Sequence, residues 1–401
     1  PPSCRPTTAC RSMSSGRKIA ILQTAFLGDT LLSVPLAKAL LQHEVARDGL
    51  LLICRKGLGE FFRALEIFDQ VLEVEKGAAS SYDLAMRDLE SWWASASRRV
   101  LLSPHESPRS RVWAARLKMR AQFRSSMGAN RNLEVIGYRS QPFGIFSSMY
   151  SKAITRPMAL PEALRQLALL QADTFLTSDL WRERLAGFAL DQGTGRGGVA
   201  SDGSLMAVPE WASMSIPRFA SLGRDPKRIA MAPGSVWKTK QWTKAGFAEV
   251  GRAALQSGMS VDLVGTKDER LLCQEIVELI VSQSTEFASH AGSRVANHAG
   301  ELTLLQTTDV LARAGQAFVN DSGAMHLAAL SGTPVVSFFG PTVLDFGYRP
   351  WSQSASVLEP PEKLKCRPCG KHGSQSCPIG THECMKSIQA TRAISLLKIN
   401  P

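Results

Sequence analysis

Short apolar runs alternate with stretches of helical spacing along most of this chain. Lys18–Leu22 (KIAIL), Leu50–Cys54 and Val71–Val74 are runs of four or five residues, the mark of strands buried on both faces. Asp83–Met86 and Arg99–Ser103 (RVLLS) read as strands too. Gln23–Asp29 is a loop in which Gly28 permits a tight turn, and Thr30–Gln42 is a helix capped by Asp29 and bent by Pro35. Leu160–Asp173 and Leu180–Leu190 carry helical periodicity. Asp191–Pro209, rich in Gly, Ser and Asp, reads as a linker or hinge.

The alternation then restarts. Arg228–Ala232 and Val261–Gly265 predict strands, Thr243–Ser257, Arg270–Val281 and Leu302–Arg313 predict helices, and Met385–Ile399 predicts a last amphipathic helix. Such alternation points to βαβ units and parallel sheets, hence an α/β protein. The expected layout is a leader over residues 1–16, an N-terminal domain over 17–190, the linker over 191–209 and a C-terminal domain over 210–401, with ligand-facing loops lining a central cleft.

Ala317–Thr342 (AFVNDSGAMHLAALSGTPVVSFFGPT) is the stretch around which the second half is organised. It predicts a strand, a polar turn, a helix, a Gly-Thr-Pro turn, a second strand and a Gly-Pro-Thr loop. Asp321, Ser322 and Gly323 fall where strand gives way to helix, a position whose free N–H groups favour an anion. His326 lies about one turn on and can face the same crevice. The competing possibility is that Asp321 or Ser322 only caps the helix and His326 is an ordinary core histidine.

Charge adds a partner class. The net charge of +12 is uneven, since residues 1–200 hold 27 Lys/Arg against 18 Asp/Glu and carry +9 of it. A basic first half suits an anionic partner: nucleic acid, acidic lipid or a phosphorylated glycan. Arg98–Arg131 concentrates nine Lys/Arg with one carboxylate, Glu106, and is either a solvated helix face or a phosphate-binding one. Trp113 and Phe123 are its only aromatic side chains, too few for a base-stacking platform, which disfavours a nucleic-acid-binding protein. No apolar run reaches 18 residues. The first dozen residues lack the apolar core of a signal peptide, and Met13 is a candidate start. Cys4, Cys10, Cys54 and Cys273 are scattered, as suits a reducing compartment. Cys366, Cys369, Cys377 and Cys384 follow the spacing C-x2-C-x7-C-x6-C with His372 and His382 inside, either a structural zinc site or reduced thiols.

Four segments together, ILQTAFLGDTLLSVP, APGSVWKTKQWTKAGF, VGTKDE and FVNDSGAMHLAALSGTPVVSFFGPT, resemble family 9 glycosyltransferases, in particular the ADP-heptose:lipopolysaccharide heptosyltransferases. The resemblance implies a GT-B fold of two Rossmann-like domains, the first binding acceptor and the second nucleotide-sugar. It implies an inverting transfer of heptose from ADP-L-glycero-D-manno-heptose to the lipopolysaccharide inner core, the second heptose rather than the first on the strength of the Cys-bearing segment. A family member with another nucleotide-sugar donor is the near alternative. Asp29 is the implied general base for the acceptor hydroxyl. Lys240, with Lys238 as competitor, is the implied diphosphate-neutralising lysine, and Glu269 the implied ribose ligand. Asp321, Ser322, Gly323 and His326 match the element around diphosphate and sugar.

No Asp-x-Asp pair occurs, which suits a mechanism without a metal or other cofactor, in which Lys240 and helix N–H groups stabilise the ADP leaving group. Arg109, Arg111, Arg116, Lys118, Arg120 and Arg124 are the implied contacts for a phosphorylated lipid A/Kdo acceptor. The implied location is cytoplasmic, peripheral to the inner-membrane face, with no nucleic-acid partner.

Overall fold

The computed structural model describes residues 16–43, 45–46, 48–126, 133–139, 149–190, 205–282 and 294–398. The expected leader apart from Gly16, most of the expected linker, Arg131, Cys4 and Cys10 lie outside the described residues. Two compact units are present. One takes the described residues up to Ala25, Ala37–Arg156 and Leu169–Trp181; the other takes Phe26–Leu36, Pro157–Ala168 and the chain from Arg182 on.

The first unit is built on six parallel strands: β1 (Arg17–Gln23), β2 (Leu50–Arg55), β3 (Gln70–Val74), β4 (Arg98–Leu102), β5 (Leu133–Tyr138) and β6 (Lys152–Ile154), in the order β3-β2-β1-β4-β5-β6. The second repeats the plan with β7 (Asp225–Ala232), β8 (Ser260–Leu263), β9 (Val295–Asn297), β10 (Ala314–Asn320), β11 (Val335–Phe338) and β12 (Ala355–Leu358), in the order β12-β11-β10-β7-β8-β9. Each is the doubly wound order, whose switch point lies between β1 and β4 in one sheet and β7 and β10 in the other. In the second core Trp242 stacks on Phe338, ring centroids 3.9 Å apart, with Phe247 edge-on to both.

Four expected elements differ, the first being the helix expected over Leu160–Asp173, which is an α-helix only over Glu162–Leu167 and tightens to a 3-10 turn over Ala168–Gln171. Asp83–Met86 is not a strand but part of the helix Ala79–Trp92, whose Tyr82, Ala85, Met86 and Leu89 are its buried stripe. Four residues were too short a window to separate the two periods. The helix expected over Thr30–Gln42 is two helices, Leu27–Leu31 and Val34–Gln42, with Pro35 in the first turn of the second. Proline has no N–H for the carbonyl four residues back, so it begins a helix more readily than it continues one. Asp29 is therefore an internal residue of the first helix, and Phe26 occupies the cap. The helix expected over Met385–Ile399 is likewise two short ones, Glu383–Lys386 and Ala390–Ile394, which bury Met385, Ala390 and Ala393 in the second core. No described helix is long and apolar enough to cross a membrane.

Candidate functional site

The second unit encloses a cavity of about 380 Å³ at the carboxyl ends of β7, β8 and β10. Asp29, Lys240, Glu269, Asp321, Ser322, Gly323 and His326 all line it. Strand β10 ends in Asn320, which lies behind the lining, and Asp321 follows it into the cavity wall. Asn320 is wholly buried; its side-chain carbonyl accepts the Trp242 N–H at 2.9 Å and its amide donates to the Pro233 carbonyl at 2.7 Å. Those bonds pin the loop after β7 against β10, which brings the turn Lys238–Lys240 to Asp321.

Lys240 Nζ lies 2.6 Å from Asp321 Oδ2, both side chains almost fully shielded, and Thr342 Oγ1 donates to the same oxygen at 2.6 Å. Asp321 thus does not cap the next helix. Ser322 holds the cap position of Gly323–Leu330 and makes no side-chain cap bond, and it lines the cavity together with Gly323 at the N-terminus of that helix. Lys238 is exposed and is not part of the cavity wall.

His326 is neutral at physiological pH. Burial, opposed by Asp321 and aided by Lys240, pushes it down to about 4. Its Nδ1 is buried with no hydrogen-bond partner among the described protein atoms. A Cβ added to Gly28 would stand 2.8 Å from the His326 ring, so only glycine lets the Asp29 segment lie this close. Glu269 accepts the Thr266 N–H at 2.7 Å in a capping box that fixes its rotamer. Its carboxylate lies over Gly234, where a Cβ would come within 2.0 Å of it.

Residues outside the sequence expectation also line the cavity, notably Trp237, Phe346, Lys371 and His372. Lys371 and His372 come from the cysteine segment, which folds back on the turn carrying Lys240. Thr239 Oγ1 donates to the Ser374 carbonyl at 2.8 Å, His382 Nε2 meets the Thr239 carbonyl at 2.7 Å, and His372 stacks on Trp237. Two basic side chains next to a C-x-x-C pair gave no signal by spacing. Among the described residues no group of three or more His, Cys, Asp or Glu is placed to hold a metal ion, and Cys366, Cys369, Cys377 and Cys384 are free thiols. Cys377 accepts the His382 N–H at 3.4 Å; this and neighbouring backbone N–H groups hold its thiol below the usual range.

The basic residues named for the acceptor lie in the first unit, on or beside the helix Pro108–Ser126. Arg111 pairs with Glu106, Arg116 with Asp83, and Arg120 and Arg124 both with Glu90; Lys118 donates to the Tyr150 carbonyl and Arg109 is exposed. Sequence order hid the pairings of Arg116, Arg120 and Arg124, since Asp83 and Glu90 come from the preceding helix.

Two doubly wound parallel sheets, the second with a cation-bearing cavity at its switch point, define the class: an α/β protein of two Rossmann-like units. Residues 117–378 match the family described as glycosyltransferase family 9 (heptosyltransferase), and the chain belongs to that family. It is 29% identical over 178 residues to lipooligosaccharide heptosyltransferase 2 of Campylobacter jejuni, covering 44% of this chain and 52% of that one. It is 28% identical over 198 residues to lipopolysaccharide heptosyltransferase 2 of Salmonella typhimurium, covering 47% and 55%. The chain thus matches about half the length of these relatives.

Among solved structures, Escherichia coli ADP-heptose LPS heptosyltransferase II superposes with a TM-score of 0.60 at 17% identity, over 94% of this chain and 96% of that one. A family 9 glycosyl transferase of Veillonella parvula gives 0.64 at 18% identity, over 96% of both. The fold is therefore GT-B, two Rossmann-like units in one chain.

Proposed function

We propose that this protein transfers heptose from ADP-L-glycero-D-manno-heptose to the lipopolysaccharide inner core with inversion at the anomeric carbon. One observation carries the proposal: Asp29, the Lys240–Asp321–Thr342 cluster and the N-terminus of the helix Gly323–Leu330 line one cavity. The carboxylate of Asp29 takes the proton of the acceptor hydroxyl as that oxygen attacks the anomeric carbon in line. The bond to the ADP oxygen breaks on the opposite side, and negative charge grows on the diphosphate. Lys240 and the N–H groups of Ser322 and Gly323 meet that charge, supplying electrostatic stabilisation without a metal. Glu269, held by its capping box, is the ribose ligand, and His326 is a neutral hydrogen-bonding partner for diphosphate or sugar.

On the acceptor side we assign the basic helix Pro108–Ser126 to a phosphorylated lipid A/Kdo saccharide at the cytoplasmic membrane face. Its ion pairs with Asp83 and Glu90 are half exposed or nearly so on the Arg side. Surface pairs of this kind are worth about 0–1 kcal/mol, so an acceptor phosphate can displace them. The test is transfer by purified protein from ADP-heptose to a Kdo-bearing acceptor, with and without EDTA. Turnover is expected in both, with loss by orders of magnitude in Asp29→Asn at near-normal ADP affinity. Near-normal kcat in that variant removes Asp29 as base, and an EDTA loss restored by Mg²⁺ removes the metal-free route.

A further inference from the structure

The helix Leu27–Leu31 that carries Asp29 is only five residues long and breaks one turn later. In an unbroken helix the Asp29 carbonyl would take the N–H of Ser33. Here that N–H goes to the Thr30 carbonyl at 3.1 Å. A side chain from a distant segment takes up the Asp29 carbonyl instead. Gln166 Nε2 donates to it at 3.2 Å, and Ser33 Oγ donates to Gln166 Oε1 at 2.6 Å. The second bond orients the amide, because a hydroxyl donor on the oxygen side leaves the NH₂ group facing Asp29. Gln166 is completely buried.

The helix that supplies it, Glu162–Leu167, is buried at every position. Its other end holds the far wall of the cavity. Arg165 Nη1 donates to the Phe346 carbonyl at 2.8 Å, and the Glu162 N–H donates to the Gly347 carbonyl at 2.9 Å. Gly347 sits at φ 91° with Arg165 where its side chain would be, so glycine is required there twice over. One short helix therefore references both the Asp29 segment and the Phe346 wall to a single buried frame.

We propose that Gln166, fixed by Ser33, is the residue that positions Asp29 for proton abstraction. This rests on Asp29 being the base. Gln166 touches no reacting atom and acts through the backbone of Asp29. Its removal frees the helix at the carbonyl of the catalytic residue itself, and a misplacement of about 1 Å costs on the order of 100-fold in rate.

The test is steady-state kinetics and ADP titration of Gln166→Leu, Gln166→Glu, Ser33→Ala and Asp29→Asn, with melting curves as the control for folding. Gln166→Leu should lower kcat by roughly 10- to 100-fold while ADP affinity stays within about twofold. Ser33→Ala, which leaves the amide present but unfixed, should show the same split more weakly and carries the test if the leucine variant does not fold. Gln166→Glu is the diagnostic case. Ionised, it still accepts from Ser33 but opposes the Asp29 carbonyl, and the Glu162 carboxylate 3.5 Å from the amide nitrogen, with an acceptor; protonated, it regains a donor. Its kcat relative to the natural protein should therefore rise as pH falls.

A folded Gln166→Leu with unchanged kcat overturns the positioning role while leaving Asp29 as base, provided Asp29→Asn is inactive. A flat ratio across pH for Gln166→Glu overturns it too, because a purely structural glutamine would show none. An active Asp29→Asn overturns the base assignment, and this inference with it.

Discussion

Replacing Lys240 by Met tests the core of the site, and its effect can be worked from two numbers. The ammonium lies 2.6 Å from Asp321, and the side chains keep 12% and 7% of their exposure. An ammonium has three donors and the Asp321 bond uses one, which leaves donors for an incoming diphosphate. Losing a charge-assisted hydrogen bond of this kind costs about 1.5–3 kcal/mol. The variant also leaves the Asp321 carboxylate held by Thr342 with no cation beside it, where ADP must bring its own negative charge. Truncating one member of a buried pair costs about 2–5 kcal/mol, much of it from the orphaned partner.

Taking the overlap, ADP affinity should fall by about 2–3 kcal/mol, roughly 30- to 150-fold at 1.4 kcal/mol per decade. Removing the orphan as well, in Lys240→Met with Asp321→Asn, should recover part of that loss. Calorimetric titration with ADP reads both. Unchanged affinity in the single variant refutes the lysine assignment, and a double variant weaker than the single refutes the orphaned-charge argument.

Gly234→Ala places a Cβ within 2.0 Å of the Glu269 carboxylate; overpacking of this order costs about 1–3 kcal/mol. Donor KM should rise several-fold with acceptor KM unmoved, and an unchanged donor KM would detach Glu269 from the nucleotide. His326, pushed down to about 4 from 6.5 by burial, takes up no proton in the folded state between those values whereas the unfolded chain does. Its stabilising share is thus complete above pH 6.5 and is lost as pH falls towards 4, up to about 3 kcal/mol. Melting curves between pH 7 and 5 should fall more steeply for the natural protein than for His326→Asn, and equal slopes would contradict a buried neutral imidazole. Arg116, Arg120 and Arg124 changed together to Gln should raise acceptor KM without touching ADP affinity, and salt should mimic the change. Glutamine is cleaner than charge reversal because Asp83 and Glu90 stand beside these residues. An unchanged KM at low and high salt would make the helix ordinary surface.

Local pattern carried much of this site. The strand runs of β1, β7 and β10 are apolar because parallel strands are covered on both faces, so their carboxyl ends could be placed within a residue, although β7 and β10 begin three residues earlier than the runs suggest. The ends of such strands are where ligands bind, which marked the turn at Asp321 from pattern alone, whereas Asp29, Lys240 and Glu269 were named through the family resemblance; all four line the cavity. The sequence by itself thus determined the alternation, the positions of the loops and the residue types offered there.

It did not determine which residues meet. Lys238 and Lys240 are equivalent in a sequence, and it takes tertiary bonds, from Asn320 to Trp242 and Pro233 and from Thr239 to Ser374, to hold the turn that leaves one facing Asp321 and the other exposed. The split at Ser33 follows locally from Pro35, but the break near Gln389 has no proline or glycine beside it and depends on tertiary packing that local propensity does not contain. Most of the charge run of Pro108–Ser126 looked unpaired because the carboxylates that meet Arg116 and Arg120 sit 30 or more positions away along the chain. Gln166 carries no motif at all; folding brings it against the Asp29 carbonyl 137 positions earlier, at a helix break where the Ser33 N–H bonds to the Thr30 carbonyl. Periodicity reports which face of an element is buried, while pairing across elements is settled by three-dimensional proximity, and that is why the loops were legible and their partners were not.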